Sequence, residues 1–159
     1  MRIRCLALCL AAAFAAAQTY TGPLPPHADL PYLKHAENLV PTEVLEAKEE
    51  KNKKGQKGDV TYVIAGAASS AKTPLASPIF LLETDKLVAA KLALYKLESR
   101  NGRREIAFSP RKQAKAIRVE LTHLNTAGLY RLEVEESLEP GEYAFSPEGS
   151  NQVFCFQVF

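Results

Sequence analysis

The alternation of hydrophobic and polar positions is the clearest signal in this chain, and it predicts short β-strands. Residues 116–124 and 129–135 alternate with a period of two, which places apolar side chains on one face of a strand and polar ones on the other. The runs DVTYVIA and PIFLLET are rich in β-branched, aromatic and aliphatic residues, as strands are. We predict about seven or eight antiparallel strands, within 59–65, 78–84, 91–98, 103–109, 116–124, 129–135, 143–146 and 152–159.

Turn signals separate these runs and favour a sandwich or a barrel. Asn101-Gly102 lies between two apolar runs, and this dipeptide is the strongest short-range signal for a hairpin because both turn residues need positive φ. Many short strands with turns between them are typical of an all-β sandwich or barrel. A chain of 159 residues suits a single domain, which we place at 30–159.

Residues 42–54 allow two interpretations. Glu, Leu, Ala and Lys dominate this segment, and Glu49–Lys53 and Glu50–Lys54 are favourable i,i+4 pairs. The first interpretation is therefore a short solvated helix. The lysine-rich run 51–58 equally suits the tip of an exposed edge hairpin whose return strand is 60–65. The sequence leaves both alternatives open.

One motif makes the fold prediction more specific. Residues 138–143 read Leu-Glu-Pro-Gly-Glu-Tyr, with one predicted strand before them and two after. This pattern resembles the tyrosine corner of immunoglobulin-like and fibronectin-III-like domains, in which the Tyr hydroxyl bonds to the backbone a few residues upstream. The resemblance implies an immunoglobulin-like β-sandwich. The chain has no Trp and one Cys beyond residue 17, so it departs from the antibody pattern, and the resemblance implies no activity.

The N-terminus has the pattern of a secretory signal peptide. A short basic start, an apolar run over 5–14 and the small residues Ala15-Ala16-Ala17 predict cleavage after Ala17. The apolar run is shorter than the roughly 20 residues that a membrane helix needs. We therefore expect a secreted or periplasmic protein without a transmembrane segment. Residues 18–29 contain Pro23, Pro25 and Pro26, which favour an extended tether before the domain.

Removal of the signal peptide changes the charge of the protein. Loss of Arg2 and Arg4 leaves 18 basic residues against 18 acidic ones, so the net charge falls to zero. A nucleic-acid-binding protein usually keeps a basic excess, and we expect no such partner. Basic residues concentrate in 100–118 and acidic ones in 133–148. We expect these charges to pair across neighbouring strands, and a dipolar surface that attracts an anionic polymer is the alternative.

The sequence contains no assembled catalytic or metal-binding motif. His27, His35 and His123 are far apart, and neither closely spaced His or Cys ligands nor a calcium loop occurs, so we predict no metal site and no cofactor. No nucleophile elbow surrounds any serine, so we name no catalytic residue. Cys155 lies in an aromatic run, where we expect it to be buried and unreactive.

Three hypotheses about function follow from these observations. The first is an exported, non-enzymatic β-sandwich module that binds or scaffolds an unknown protein or polysaccharide. The second is a small secreted hydrolase that uses His123 or His35 with a Ser or Glu partner. The third is a periplasmic chaperone or inhibitor that pairs through an edge strand.

Overall fold

The computed structural model describes residues 19–51, 58–111 and 114–159 as an all-β protein. The described residues contain no α-helix and one 3-10 turn, at Ala89–Lys91. The strands are β1 (Tyr32–His35), β2 (Asn38–Pro41), β3 (Glu43–Glu46), β4 (Lys48–Lys51), β5 (Val60–Ala65), β6 (Lys72–Thr73), β7 (Ile79–Glu83), β8 (Leu92–Arg100), β9 (Arg103–Phe108), β10 (Val119–His123), β11 (Leu129–Val134), β12 (Gly141–Pro147) and β13 (Gln152–Val158).

These strands form two sheets. The first has five strands in the order β10-β11-β7-β1-β2. The second has eight, in the order β3-β13-β12-β8-β9-β5-β4, with the short β6 also paired to β13. Neighbours along both orders are antiparallel, and the two-residue β6 runs parallel to β13.

The second sheet curls into a half-barrel. Only Ala47 separates β3 from β4 in the chain, yet the two strands lie at opposite ends of the sheet order. The sheet must bend so that both of its ends meet this short connection. The Ala47 N–H donates to the Asn151 carbonyl over 2.8 Å, which holds the connection against the turn between β12 and β13.

The main core lies between the two sheets. Phe80 of β7 meets Phe145 of β12 and Phe156 of β13, with ring centroids 4.9 Å apart in both pairs and edge-to-face geometry. All three side chains are fully buried. Edge-to-face aromatic pairs add about 0.5–1.5 kcal/mol each beyond the burial of their area.

A second, smaller core fills part of the half-barrel. It contains Ile64, Leu97, Ala144, Val153 and Cys155, all buried. Because β12 and β13 pack against the other sheet on one face and line the half-barrel on the other, both of their faces are buried. This explains why these two strands are apolar in sequence without alternation.

The predicted tyrosine hydrogen bond is present. The Tyr143 hydroxyl donates to the Glu139 carbonyl over 2.7 Å, four residues upstream. Leu138 is buried, and its N–H donates to the Ala76 carbonyl over 2.7 Å. The chain therefore crosses from β11 in one sheet to β12 in the other through a corner tied by side-chain and backbone hydrogen bonds.

All eight sequence-predicted strands are confirmed, but the predicted total is too low. Asn101 and Gly102 form the predicted hairpin turn between β8 and β9, with φ of 52° and 75°. The structure adds β1, β2, β3, β4 and β6, for thirteen strands instead of seven or eight. These five strands have two to four residues each, which is too short for alternation to be visible in the sequence.

For residues 42–54 the hairpin prediction is confirmed and the helix prediction is wrong. Both β3 and β4 lie in this segment, and β4 pairs with β5 at the edge of the sheet. Its sequence is Lys-Glu-Glu-Lys and all four residues are exposed, as suits an edge strand protected from aggregation by charge. Most of the predicted hairpin tip, residues 52–57, lies outside the described residues.

The predicted signal peptide, residues 1–17, also lies outside the described residues. From the predicted tether, the structure describes 19–29, and the last of these residues is fastened to the domain. The Asp29 carboxylate accepts hydrogen bonds from the backbone N–H groups of Asp85, Lys86 and Leu87 at 2.8–3.0 Å. Within the described part of the chain, no helix has the length and apolar character to cross a membrane.

Candidate functional site: the cavity of the half-barrel

The half-barrel contains a half-open, mainly apolar cavity of about 460 Å³. This volume falls within the range of about 300–1,000 Å³ that small-molecule sites occupy. Its walls come from strands of the curled sheet and from the turn after β12. The apolar lining residues are Ala47, Val60, Tyr62, Ile64, Tyr95, Leu97, Ile106, Phe108, Ala144, Pro147 and Val153.

Strand alternation explains which side chains face the cavity. On β5, the cavity-lining residues Val60, Tyr62 and Ile64 are two apart. Val63 belongs to the opposite face, where its Cα partners across the two neighbouring strands are Lys48 and Glu105. The strand thus has an inner face for the cavity and an outer face toward charged neighbours.

Two neighbouring strands of the cavity wall, β8 and β9, separate along their length. The strands β8 and β9 pair only next to their turn, over Glu98–Arg100 and Arg103–Glu105. Beyond these residues, the edge of β8 that faces away from β12 pairs only at a single bridge, between Leu94 and Ile117. The strand β9 continues to pair with β5. The Tyr95 and Phe108 rings still contact each other across this gap, with centroids 5.5 Å apart.

Three aromatic rings lie where β8 and β9 diverge. The Phe108 ring makes edge contacts with Tyr62, at 5.8 Å and 82°, and with Tyr95, at 5.5 Å and 84°. All three rings line the cavity and are half-buried. They provide a large and rigid contact surface.

The turn between β12 and β13 forms a polar part of the cavity wall. Ser146 and residues 148–151 line the cavity here. The Glu148 carboxylate lies 2.9 Å from the Lys91 ammonium, in an exposed ion pair. Polar groups at one position of an otherwise apolar lining are what fixes the orientation of a bound molecule.

A buried ionic cluster lies next to the cavity. The Arg104 side chain is fully buried, and its Nη1 lies 2.9 Å from Glu43 Oε2 and 3.6 Å from Glu142 Oε2. Its other nitrogens donate to backbone carbonyls, Nε to Gly66 and Nη2 to Ala65. The guanidinium is thus fixed by bonds from several directions, as a buried cation requires.

Glu142 has an unusual environment within this cluster. Its Oε2 accepts the Ser69 N–H over 2.9 Å, whereas its Oε1 is buried and has no hydrogen-bond partner. Burial raises the pKa of Glu142, and this effect outweighs the opposing Ser69 hydrogen bond and Arg104 charge. Burial also raises the pKa of Cys155, to about 12, which disfavours the reactive thiolate.

The three histidines do not contribute to the cavity in the described structure. His123 is exposed, and its ring contacts Tyr130 at 5.1 Å. His35 Nε2 lies 3.0 Å from the Thr73 hydroxyl, and His27 is exposed. The described residues contain no group of three His, Cys, Asp or Glu side chains that could hold a metal ion.

Some of the segregated charges lie in ion pairs. Arg118 of the basic segment pairs with Glu135 of the acidic segment at 3.2 Å, next to the neighbouring strands β10 and β11. Glu139 of the acidic segment pairs at 2.6 Å with Lys96, which lies outside the basic segment. Exposed pairs of this kind contribute little to stability, about 0–1 kcal/mol each.

Sequence analysis did not identify the cavity residues or Arg104. The pattern of 103–109 did contain a signal, because alternation places Arg104 on the same strand face as Ile106 and Phe108. A charged residue on an apolar face indicates a buried partner of opposite charge. That partner, Glu43, lies 61 residues away in sequence and cannot be recognised without the fold.

No protein-family model, no curated protein and no solved structure matches this chain.

Proposed function

We propose that this protein is an exported, non-enzymatic binding module that holds a small apolar ligand in the cavity of its half-barrel. The single observation that carries this proposal is the cavity itself, with its apolar walls and its polar turn at 148–151. Small-molecule sites combine these same features. Export rests on the signal-peptide pattern of residues 1–17, which implies a secreted or periplasmic location.

We also propose that the two-sheet core is immunoglobulin-like. In one sheet β1, β7, β11 and β10 follow one another as strands A, B, E and D do in that fold. In the other, β13, β12, β8 and β9 follow the order G, F, C and C′. Order along the chain agrees, and the Tyr143 corner precedes β12, the counterpart of strand F.

On this interpretation the half-barrel is an elaboration of the sandwich. Residues 38–65 lie between the counterparts of strands A and B and contribute β2, β3, β4 and β5. Both β4 and β5 extend the second sheet beyond β9, and β3 extends it beyond β13. The insertion thus supplies part of the cavity lining, Ala47, Val60, Tyr62 and Ile64, and the strands of the sandwich supply the rest.

The test is binding of a neutral hydrophobic dye, N-phenyl-1-naphthylamine, whose emission rises in apolar sites. The full chain should enhance the emission saturably. Val60→Lys puts a charge on the inner face of β5 and should weaken binding at least tenfold, because a buried unpaired charge is costly. Val63→Lys, on the outer face of the same strand, is the matched control and should bind as the wild type does. Absence of saturable binding, or equal loss in both variants, would refute the proposal.

A further inference from the structure

The described lining of the cavity carries aromatic rings and little charge. Glu148 is its single charged side chain among the described residues, and that carboxylate already pairs with Lys91 at the surface. Arg104, the nearby buried cation, is held by Glu43 and two backbone carbonyls. Three of the lining side chains, by contrast, are aromatic.

The three rings come from three different strands, and each tyrosine ring is nearly perpendicular to the Phe108 ring. Phe108 of β9 meets Tyr62 of β5 at 82° and Tyr95 of β8 at 84°. Edge-to-face contact is a preferred geometry of aromatic rings, and a further ring can join such a group by the same edge or offset-stacked contacts. A saturated molecule in the cavity would gain only the free energy of burying its surface.

We propose that the cavity recognises a planar aromatic molecule in preference to a saturated one of the same size. This inference rests on the proposed function, because it assigns a ligand class to the same cavity. Rigid rings also lose little conformational entropy on binding, so ring contacts translate efficiently into affinity. Tyr62, Tyr95 and Phe108 are the residues that confer the preference.

The test compares 2-naphthol with decahydro-2-naphthol by isothermal calorimetry on the full chain. The two probes share a carbon skeleton and a hydroxyl group and differ in aromaticity. We expect 2-naphthol to bind about tenfold more tightly, as two additional ring contacts would give. Equal or tighter binding of the saturated probe would overturn the ring preference and leave the proposed function intact. Binding of neither probe would overturn both.

Variants test whether the three rings cause the preference for the aromatic probe. Phe108→Leu keeps an apolar side chain and removes the central ring, so the affinity ratio of the two probes should fall to about threefold or less. Ala107→Leu, at an exposed position on the other face of β9, is the matched control and should keep the full ratio. Should Phe108→Leu fail to fold, Tyr95→Leu replaces it. An undiminished ratio in the folded variant would refute the role of these rings.

Discussion

Arg104 Nη1 lies 2.9 Å from Glu43 Oε2 inside the half-barrel. This ion pair joins two strands that are separated in the sheet order by three other strands. Because β9 carries Arg104 and β3 carries Glu43, the ion pair crosses the interior of the curled sheet. It therefore links two distant strands across the curled sheet. Removing one partner of a buried ion pair leaves the other charge uncompensated, so we expect the pair to matter for stability.

Arg104→Met should destabilise the protein by about 3–5 kcal/mol, because it leaves the buried Glu142 and the partly buried Glu43 carboxyls without their cation. Chemical denaturation followed by circular dichroism measures this change. Arg103→Met is the matched control, since Arg103 is partly exposed and pairs with Glu50 and Glu105 at the surface. That control should cost less than about 1 kcal/mol. Similar midpoints for both variants would contradict a structural role of the buried pair.

Glu142→Gln should change how stability depends on pH. Because burial raises the pKa of Glu142 in the folded state, folding favours its protonated form. The stabilising contribution is complete below the ordinary glutamate pKa, about 4.3, and is lost as pH rises through the raised value. Gln imitates the protonated carboxyl at every pH. The variant should therefore match the wild type in acid and become more stable than it at higher pH.

Thermal denaturation of both proteins across this pH range measures the difference. Glu120→Gln, at an exposed position of β10, controls for the loss of one negative charge from the surface. A stability difference between Glu142→Gln and wild type that stays constant with pH would show that folding does not raise the pKa of Glu142.

Cys155 should react slowly with a thiol reagent in the native protein and rapidly in denaturant. It is fully buried, and burial raises its pKa to about 12, so the thiolate that reacts is scarce in the folded state. The rate of absorbance change with 5,5′-dithiobis(2-nitrobenzoic acid) measures this difference. Comparable rates in the two conditions would mean that β13 opens readily to solvent.

Sequence patterns revealed the parts of the fold that depend on local chemistry. The Asn101-Gly102 turn needs positive φ, the strands β10 and β11 alternate, and the corner at Tyr143 is a local hydrogen bond. Each of these features is decided by residues close together in the chain, so the sequence alone predicts it.

The half-barrel and its cavity depend on non-local contacts and could not be predicted. No local pattern says that β3 pairs with β13 while β4, one residue later, pairs with β5. The gap between β8 and β9 also depends on non-local pairing, because β8 has β12 as its other neighbour and β9 has β5. The candidate site therefore combines Tyr62, Tyr95 and Phe108, three residues that no motif connects.

Intact mass spectrometry of the exported protein should find Gln18, or its cyclised form, at the N-terminus. The basic start, apolar run and Ala15-Ala16-Ala17 predict this cleavage position. Ala17→Pro alters the small residue next to the cut and should slow processing, and Thr21→Pro, beyond it, is the control. Recovery of protein that still carries Met1 from a membrane fraction would contradict cleavage.

Tyr143→Phe tests the corner that joins the two sheets. The substitution removes only the hydroxyl that donates to the Glu139 carbonyl, while the ring can still stack on Phe156, whose centroid lies 5.5 Å away. Loss of one such hydrogen bond costs about 1 kcal/mol. For a domain of this size, that loss corresponds to a fall in melting temperature of about 3–5 °C.

The control for this experiment is Tyr130→Phe, which removes a hydroxyl from a half-buried tyrosine on β11 and leaves the corner unchanged. Calorimetry of the three proteins separates the effect of the corner from that of losing any phenol. Ligand affinity in the half-barrel should be the same in all three, because Tyr143 packs in the core between the sheets and does not line the cavity. An unchanged melting temperature in Tyr143→Phe would mean that the hydrogen bond does not hold the crossing. The proposed immunoglobulin-like core would then rest on strand order alone.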